Sequence, residues 1–461
     1  MSVLLINPPR TIGKGNIWEK IDRSLPPLGL ACIASYLEKK GRKVSILDMQ
    51  AEYVTQPELD VSLKRLNPGF VGITATTVEI ESALRIADLC KESLPATKVI
   101  LGGAHPSVMP EEVLLNPRVD FVVRGEGEHT LHELTGGAKL SGISGLSYRQ
   151  NGRIRHNPPR ALINDLDKMP LPAYHLLPMD KYRPSLGNYK RLPAMSMIAT
   201  RGCPGRCTFC YTGISGKTTR TRTAESLLKE IKLLQRNYKI KEISFYDDTF
   251  TAFRENVKKF CEGIIREQLN ITWSCMSRID FVDAEVLRLM RQSGCHQIGY
   301  GLESASPEIL RNIGKPTSVD LMEKNIELTK KSGIDVRAMF LLGSPGETEK
   351  TLKQTINFAL KIKPAIALFN ITTPFPGTAM YGWAKRKNYL MDSGWNKYDL
   401  ANVVMRLPTV SSETIKSYYN IAYRKFYLNP SYVLKRLLGI RTLIDFKNNV
   451  TSLLSIISFC K

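Results

Sequence analysis

Cys203, Cys207 and Cys210 stand in the run Thr200-Arg-Gly-Cys203-Pro-Gly-Arg-Cys207-Thr-Phe-Cys210-Tyr211, a C-x3-C-x2-C spacing. Thiolates are the usual ligands of iron–sulfur clusters. Loops of three and two residues between them can wrap three corners of a cuboidal cluster. With only three cysteines nearby, the fourth iron stays open to a small molecule, and an open metal position is a catalytic feature. A zinc knuckle and a set of three buried thiols are the plainer alternatives. Structural zinc needs four closed ligands, and the nearest further candidates, Cys261, Cys275, Cys295 and His296, lie far along the chain. The cysteine total is nine, an odd number, and those outside the trio are scattered. This argues for metal chemistry in a reducing cytoplasm and against a disulfide framework.

The elements that must position this loop read as α/β. From 193 to about 380 there are six strand candidates, at 194–200, 242–247, 271–277, 297–303, 335–342 and 366–373. Helical spacing separates them, as in Leu227, Leu228, Ile231 and Leu234. Six such units predict a partial barrel, with the cysteine loop at the carboxyl face where barrels place their chemistry. Asp247, Asp248, Arg278 and Glu303 fall at the ends of its second to fourth strands.

Upstream, Val3–Asn7, Val44–Asp48, Phe70–Thr74, Lys98–Gly102 and Asp120–Arg124 are short apolar runs between helical stretches. They predict an N-terminal doubly wound parallel sheet. Ligands bind beyond the carboxyl ends of such strands, which here carry Asn7-Pro-Pro, Thr74-Ala-Thr-Thr, Gly102-Gly-Ala-His105 and Arg124-Gly-Glu-Gly-Glu128. Glycines and small hydroxyls there let a bulky ligand approach the backbone. Gly125-Glu-Gly127 lacks the third glycine of a dinucleotide fingerprint. The expected division is 1–140 for this sheet, a Pro-rich linker over 141–192, the barrel over 193–385 and a basic helical region over 386–461.

The 461 residues carry 65 Lys+Arg against 43 Asp+Glu, a net charge of +22. Such an excess favours an anionic partner without naming one. Nucleic acid is disfavoured, since diffuse basicity is not recognition and the tail resembles no RNA-binding module. From 401 onward, bases are interleaved with Tyr418, Tyr419, Tyr423, Phe426, Tyr427, Leu434, Leu437 and Leu438. A packed helical cap is the favoured reading, and a peripheral contact with an anionic membrane is the alternative. The N-terminus shows no signal peptide and the tail is too short and too polar to span a bilayer, so the expected location is cytoplasmic, with the inner membrane face as the alternative.

C-x3-C-x2-C with an aromatic residue inside the last interval, after the first strand of a six-unit barrel, resembles the radical S-adenosylmethionine (SAM) superfamily. The preceding sheet resembles the cobalamin-binding module that many of its members carry, and the two likenesses span about residues 1–390. Leu25-Pro-Pro-Leu-Gly29, Tyr246-Asp-Asp248, Gly299-Tyr-Gly-Leu-Glu303, Gly343-Ser-Pro-Gly-Glu347 and Thr373-Pro-Phe-Pro-Gly377 resemble the same subgroup.

The resemblance implies that Cys203, Cys207 and Cys210 ligate a 4Fe-4S cluster whose open iron chelates SAM. One-electron cleavage then gives a 5'-deoxyadenosyl radical. It further implies that Asp247, Asp248, Arg278 and Glu303 contact SAM, although Asp247-Asp248 replaces the family's Gly-Gly-Glu turn. Thr74, Thr76, Gly102, Gly103, His105, Gly125 and Glu126 would contact cobalamin. No Asp-x-His-x-x-Gly occurs, so cobalamin is expected base-off, and His105 is expected to bond the ligand or cap a turn rather than ligate cobalt. The implied activity is methylation of an unactivated carbon on a small or lipid-like substrate, with a flavodoxin or ferredoxin as electron donor. Cyclisation or ring rearrangement without methyl transfer is the alternative, and a non-enzymatic cobalamin or redox sensor is more distant.

Overall fold

Runs of Val, Ile and Leu that are apolar at every position pair best where both faces of a sheet are covered, and the N-terminal runs do so. The computed structural model describes residues 2–10, 24–184, 187 and 189–438. In it β1 (Ser2–Asn7), β2 (Lys43–Asp48), β3 (Phe70–Thr74), β4 (Lys98–Gly102) and β5 (Phe121–Val123) form a parallel sheet in the order 2-1-3-4-5. Alternate residues serve opposite faces. Leu4, Ile6, Val71, Ile73, Val99 and Leu101 pack on the helices at Gln56–Leu66 and Ile80–Ser93. Val3, Leu5, Val44, Ile100 and Val123 pack on those at Leu28–Lys39 and Gly127–Thr135. Strand order reverses between β1 and β3, which opens a crevice at their carboxyl ends.

The stretch read as a linker contributes to this sheet. β6 (Leu146–Gln150) and β7 (Arg153–His156) extend it antiparallel beyond β5. Their turn is Asn151-Gly152, both residues at positive φ, the two-residue hairpin chemistry that matches strand twist.

The second sheet comprises β8 (Ala194–Met197), β11 (Glu242–Phe245), β12 (Thr272–Ser277), β13 (Cys295–Glu303), β14 (Asp335–Leu342) and β15 (Ile366–Ile371). All are parallel in the order 8-11-12-13-14-15, the expected partial barrel. A short antiparallel ribbon, β9 (Thr200–Arg201) with β10 (Arg220–Thr221), follows the first strand. Helices cover the outside, and Thr223, Asp283, Ser318 and Thr348 each cap one by accepting a backbone N–H. Phe245 and Trp273 point outward into a ring cluster with Phe250 and Phe260. The in-register Ser196, Ser244 and Ser274 face the interior instead.

β15 is an edge strand, a row of unpaired backbone groups that needs covering. The helix Ser412–Tyr427 does this with its tyrosines. The Tyr423 hydroxyl donates to the Phe369 carbonyl (3.0 Å) and accepts its N–H (3.3 Å), and Tyr427 does the same at Ala367 (2.8 and 3.2 Å). Tyr432 donates to Ala365 (3.1 Å). The aromatic interleaving is therefore an edge cover, the packed cap expected. The rest of the tail, 439–461, lies outside the described residues, as do the side chains of Leu437 and Leu438. Among the described residues no helix is long and apolar enough to cross a membrane.

Candidate active site

The cysteine loop is shaped by backbone needs. The ribbon pairs Arg201 with Arg220 at its base, and Gly202 follows at φ +93°, where a Cβ would lie 2.5 Å from the Thr218 carbonyl. The Thr208 N–H donates to the Ile313 carbonyl and the Thr208 carbonyl accepts from Met380 N, which fixes the loop to the segments after β13 and β15. Gly205 sits between the sulfurs: a Cβ there would be 3.3 Å from Cys203 Sγ and 3.9 Å from Cys207 Sγ.

Cations and carboxylates crowd this patch. Burial raises the Cys207 thiol, against the opposing pull of Lys315 and Arg278. Cys210 is pushed up to about 12 by burial and then by Cys207 and Glu303. Lys315, little exposed, pairs with Glu303 at 3.0 Å, and Glu303 takes a left-handed φ of +67° beside the irregular register at Gly301/Glu303. Arg278 is held by Asp280 (2.6 Å) and stacks on Phe281, with Nη1 3.4 Å from the Cβ position of Gly205. Three thiols that repel as thiolates suit the cationic iron core of a cluster, and the two neighbouring cations offset the thiolates' negative charge. Among the described residues no three His, Cys, Asp or Glu side chains converge on a single-ion position. The remote zinc candidates do not help, because Cys261, Cys275 and Cys295 are buried in the outer core and His296 is bonded to Glu242 at 2.7 Å.

The two adjacent aspartates have different surroundings. Asp247 is buried, and its Oδ1 accepts from Ala199 N (2.8 Å), Thr200 N and Thr200 Oγ1 (3.0 Å). Its Oδ2 has no partner among the described residues. Burial outweighs those bonds and pushes its pKa up to about 7. It tethers the strand end that launches the cysteine loop. Asp248 accepts from Gly202 N, with burial raising its pKa, and faces the cavity described next.

A cavity of about 530 Å³ lies between the sheets, within the range of small-molecule and cofactor sites. Its N-terminal wall includes the expected Thr74, Thr76, Gly102, Gly103, Gly125 and Glu126, together with Asn7, Gly29, Cys32 and Glu128. Ile198, Thr200, Arg201, Ser215, Tyr246 and Asp248 form the barrel wall. Gly29 and Gly125 have nothing within 4 Å of a would-be Cβ, so the backbone lies open to a bulky ligand. His105 is not in this wall. It is fully buried, 3.4 Å from Thr77 Oγ1 and 3.7 Å from Glu112, with its ring against Trp395. It packs behind the wall, away from the ligand position that was one of the two roles expected for it.

Glu126 lines the cavity, but arginines from the barrel side hold its carboxylate. Arg220 binds it at 3.0 Å and Arg201 at 2.8 Å, while Ile163 N donates at 2.7 Å. Arg201 also holds Glu128 at 2.8 Å. Burial would raise the Glu126 carboxyl, yet the Arg220 and Arg201 hydrogen bonds win and hold it below the usual range. This belt joins the two sheets around the cavity. Sequence reasoning assigned no role to Arg201 and Glu128, although both stand inside the motifs it quoted, and missed Arg220 and Lys315, which stand in none. Gly314, next to Lys315, takes a positive φ of +66° and packs on the cysteine loop, where a Cβ would sit 2.9 Å from the Arg206 carbonyl.

Residues 197–359 match the Radical SAM superfamily and residues 17–135 match the B12 binding domain. An uncharacterized methyltransferase of Pyrococcus horikoshii is 37% identical over 441 residues, 94% of each chain. The chain belongs to the radical SAM enzymes that carry a B12-binding domain. Within this family it is also 27% identical to the anaerobic magnesium-protoporphyrin IX monomethyl ester cyclase of Rubrivivax gelatinosus, over 94% of this chain and 78% of that one. Two solved structures share the radical SAM and B12 architecture. The cobalamin-dependent SAM radical enzyme OxsB has a TM-score of 0.77 and 20% identity, covering 99% of this chain and 71% of that one. The radical SAM methyltransferase TsrM from Kitasatospora setae has 0.73 and 18%, covering 99% of each.

Proposed function

We propose that this radical SAM enzyme uses cobalamin to methylate an unactivated carbon of a small or lipid-like substrate. The supporting observation is the shared cavity, because the glycine-lined strand ends of the first sheet and Tyr246, Asp248 and Arg201 of the barrel open onto one space. Two reactive groups held face to face there react at high effective concentration. When bound, the cluster supplies one electron to the sulfonium, and the corrin supplies a methyl carrier.

The chain's own residues do the rest. Cys203, Cys207 and Cys210 hold the cluster. Lys315 and Arg278 offer donors to the SAM carboxylate, and Glu303 and Asp248 offer acceptors to its ammonium or ribose. Asp247 acts one step back, by tethering the loop. Thr74, Thr76, Gly102, Gly103 and Gly125 bed the corrin. Among the described residues no histidine lines the cavity, which supports a base-off cobalamin without a protein imidazole. The +22 charge suits an acidic electron donor of the flavodoxin or ferredoxin kind. A reducing cytoplasm fits such a cluster, and membrane contact is not part of the reading, because the tail's tyrosines cover β15.

Cyclisation is the second reading, supported by the likeness to the Rubrivivax cyclase. Anaerobic incubation with reductant, cobalamin and labelled SAM separates the two. A methylase forms S-adenosylhomocysteine stoichiometric with bound cobalamin before any acceptor is added, whereas a cyclase forms none. The Cys203, Cys207 and Cys210 triple alanine variant should lose its iron and, by on the order of 10⁴-fold, its 5'-deoxyadenosine formation. Iron retained in that variant would refute the ligand assignment.

A further inference from the structure

Two arginines of the described residues are less than a tenth exposed, Arg220 and Arg337, each at 8%. Arg220 holds Glu126. Arg337, inside the barrel on β14, holds no charge: its hydrogen-bond partner is the Met276 thioether sulfur at 2.9 Å, and its Nε has none. No carboxylate acts on it among the described residues. Burial lowers its pKa, with Tyr246 and then Cys275 as the opposing influences. A buried guanidinium without a counter-charge is costly to the fold, and its replacement by an apolar side chain often stabilises a protein.

The barrel makes room for this group. Arg337 is in register with Gly299 of β13, where a Cβ would lie 3.2 Å from its Nε and 2.5 Å from Met276 Sδ. Tyr246, the neighbour that acts on its charge, also lines the cavity. The cation therefore sits at the level where the barrel interior meets the space between the cofactor seats, and apart from the Lys315 and Arg278 cations at the cysteine loop.

We propose that Arg337 anchors an anionic group of the substrate, a carboxylate or a phosphoryl or phosphonyl group, and so orients the rest of the molecule toward the cavity. This builds on the proposed function, since it takes the barrel interior as the substrate's place. A guanidinium fork binds either group bidentately, and the bound anion would supply the charge the fold withholds.

The test uses the full chain, anaerobically loaded with iron and sulfide, at fixed ionic strength set with sodium chloride. Propionate, methylphosphonate and the neutral isostere propionamide are titrated while the melting temperature is read. Wild-type protein should be stabilised by propionate or methylphosphonate, whichever group the substrate carries, and not by propionamide. Arg337→Met should match or exceed the wild-type melting temperature without anion and bind the effective anion at least about tenfold more weakly. Equal anion-dependent stabilisation in Arg337→Met and wild type overturns the proposal. So does a wild-type response that is the same for propionate, methylphosphonate and propionamide, a result that needs no folded variant. Iron content and S-adenosylhomocysteine formation, measured on the wild type, report the earlier reading separately.

Discussion

The two walls of the cavity are built on opposite principles. On the sheet side, strands β3 to β5 end in Thr74, Gly102, Gly103 and Gly125, with bare backbone at Gly29 and Gly125. The barrel side presents Arg201, Tyr246 and Asp248, and charge continues beyond the cavity at the cysteine loop, in three thiols, Lys315 with Glu303 and Arg278 with Asp280. A wall of backbone and small side chains selects by shape and tolerates bulk. A wall of paired ions selects a small charged ligand and holds it in one orientation. Because a methyl donor and a radical must meet at short range, the spacing of these walls matters as much as either wall, and the belt of Glu126, Glu128, Arg201 and Arg220 sets it.

Breaking that belt should have the largest effect on stability. Glu126→Ala removes the counter-charge of the buried Arg220 and half that of Arg201, which keeps Glu128. Removing one partner of a buried pair costs about 3–5 kcal/mol. Urea unfolding should show a loss of that size, and Glu126→Ala combined with Arg220→Met should recover part of it. Additive losses in the double variant would mean that the walls are not held by this pair.

The tether behind the barrel wall can be tested through pH. The Asp247 carboxyl is pushed up to about 7 by burial, from an ordinary value of 3.8. The folded state therefore retains a proton that the unfolded state has lost across that interval. Stability from this group is full below about pH 4 and falls as pH rises to about 7. Asp247→Asn keeps an acceptor for Ala199 and Thr200 and removes the ionisation. The variant should be more stable than wild type at pH 8 by about 1–4 kcal/mol, with a flatter profile between pH 4 and 7. A wild-type profile unchanged by the substitution would put the raised carboxyl elsewhere, with Glu347, also pushed up to about 7 by burial, as the next candidate.

These tests touch residues that were unequally legible in the sequence. The eleven parallel strands could be read because apolar runs between helical spacings are a local signal, and the cysteine loop because its spacing is. The β6–β7 hairpin was missed because its Asn151-Gly152 turn lies in a Pro-rich stretch that reads as irregular. The belt could not be read at all, since Glu126 and Arg220 meet only through the packing of two separate sheets. His105 misled for the opposite reason. Its Gly-Gly-Ala context at a strand end is a ligand context, but the short helix that follows turns the ring away toward Trp395. Sequence spacing thus identifies a residue near a site more readily than it identifies the direction of a side chain.

The smallest expected effect sharpens the sheet wall. Gly29 lies in the first turn of the helix Leu28–Lys39, and a Cβ there meets no protein atom within 4 Å. Alanine favours the helix over glycine by up to about 1 kcal/mol, so Gly29→Ala should leave the unliganded protein as stable as wild type or slightly more so. The added methyl would project into the cavity, where a bulky planar ligand must lie close to the backbone. Equilibrium dialysis against cobalamin should then show affinity reduced by on the order of tenfold, about 1.4 kcal/mol. A gain in stability together with loss of the ligand separates a glycine kept for binding from one kept for folding. Unchanged cobalamin affinity in Gly29→Ala would mean that the corrin does not rest on this part of the wall.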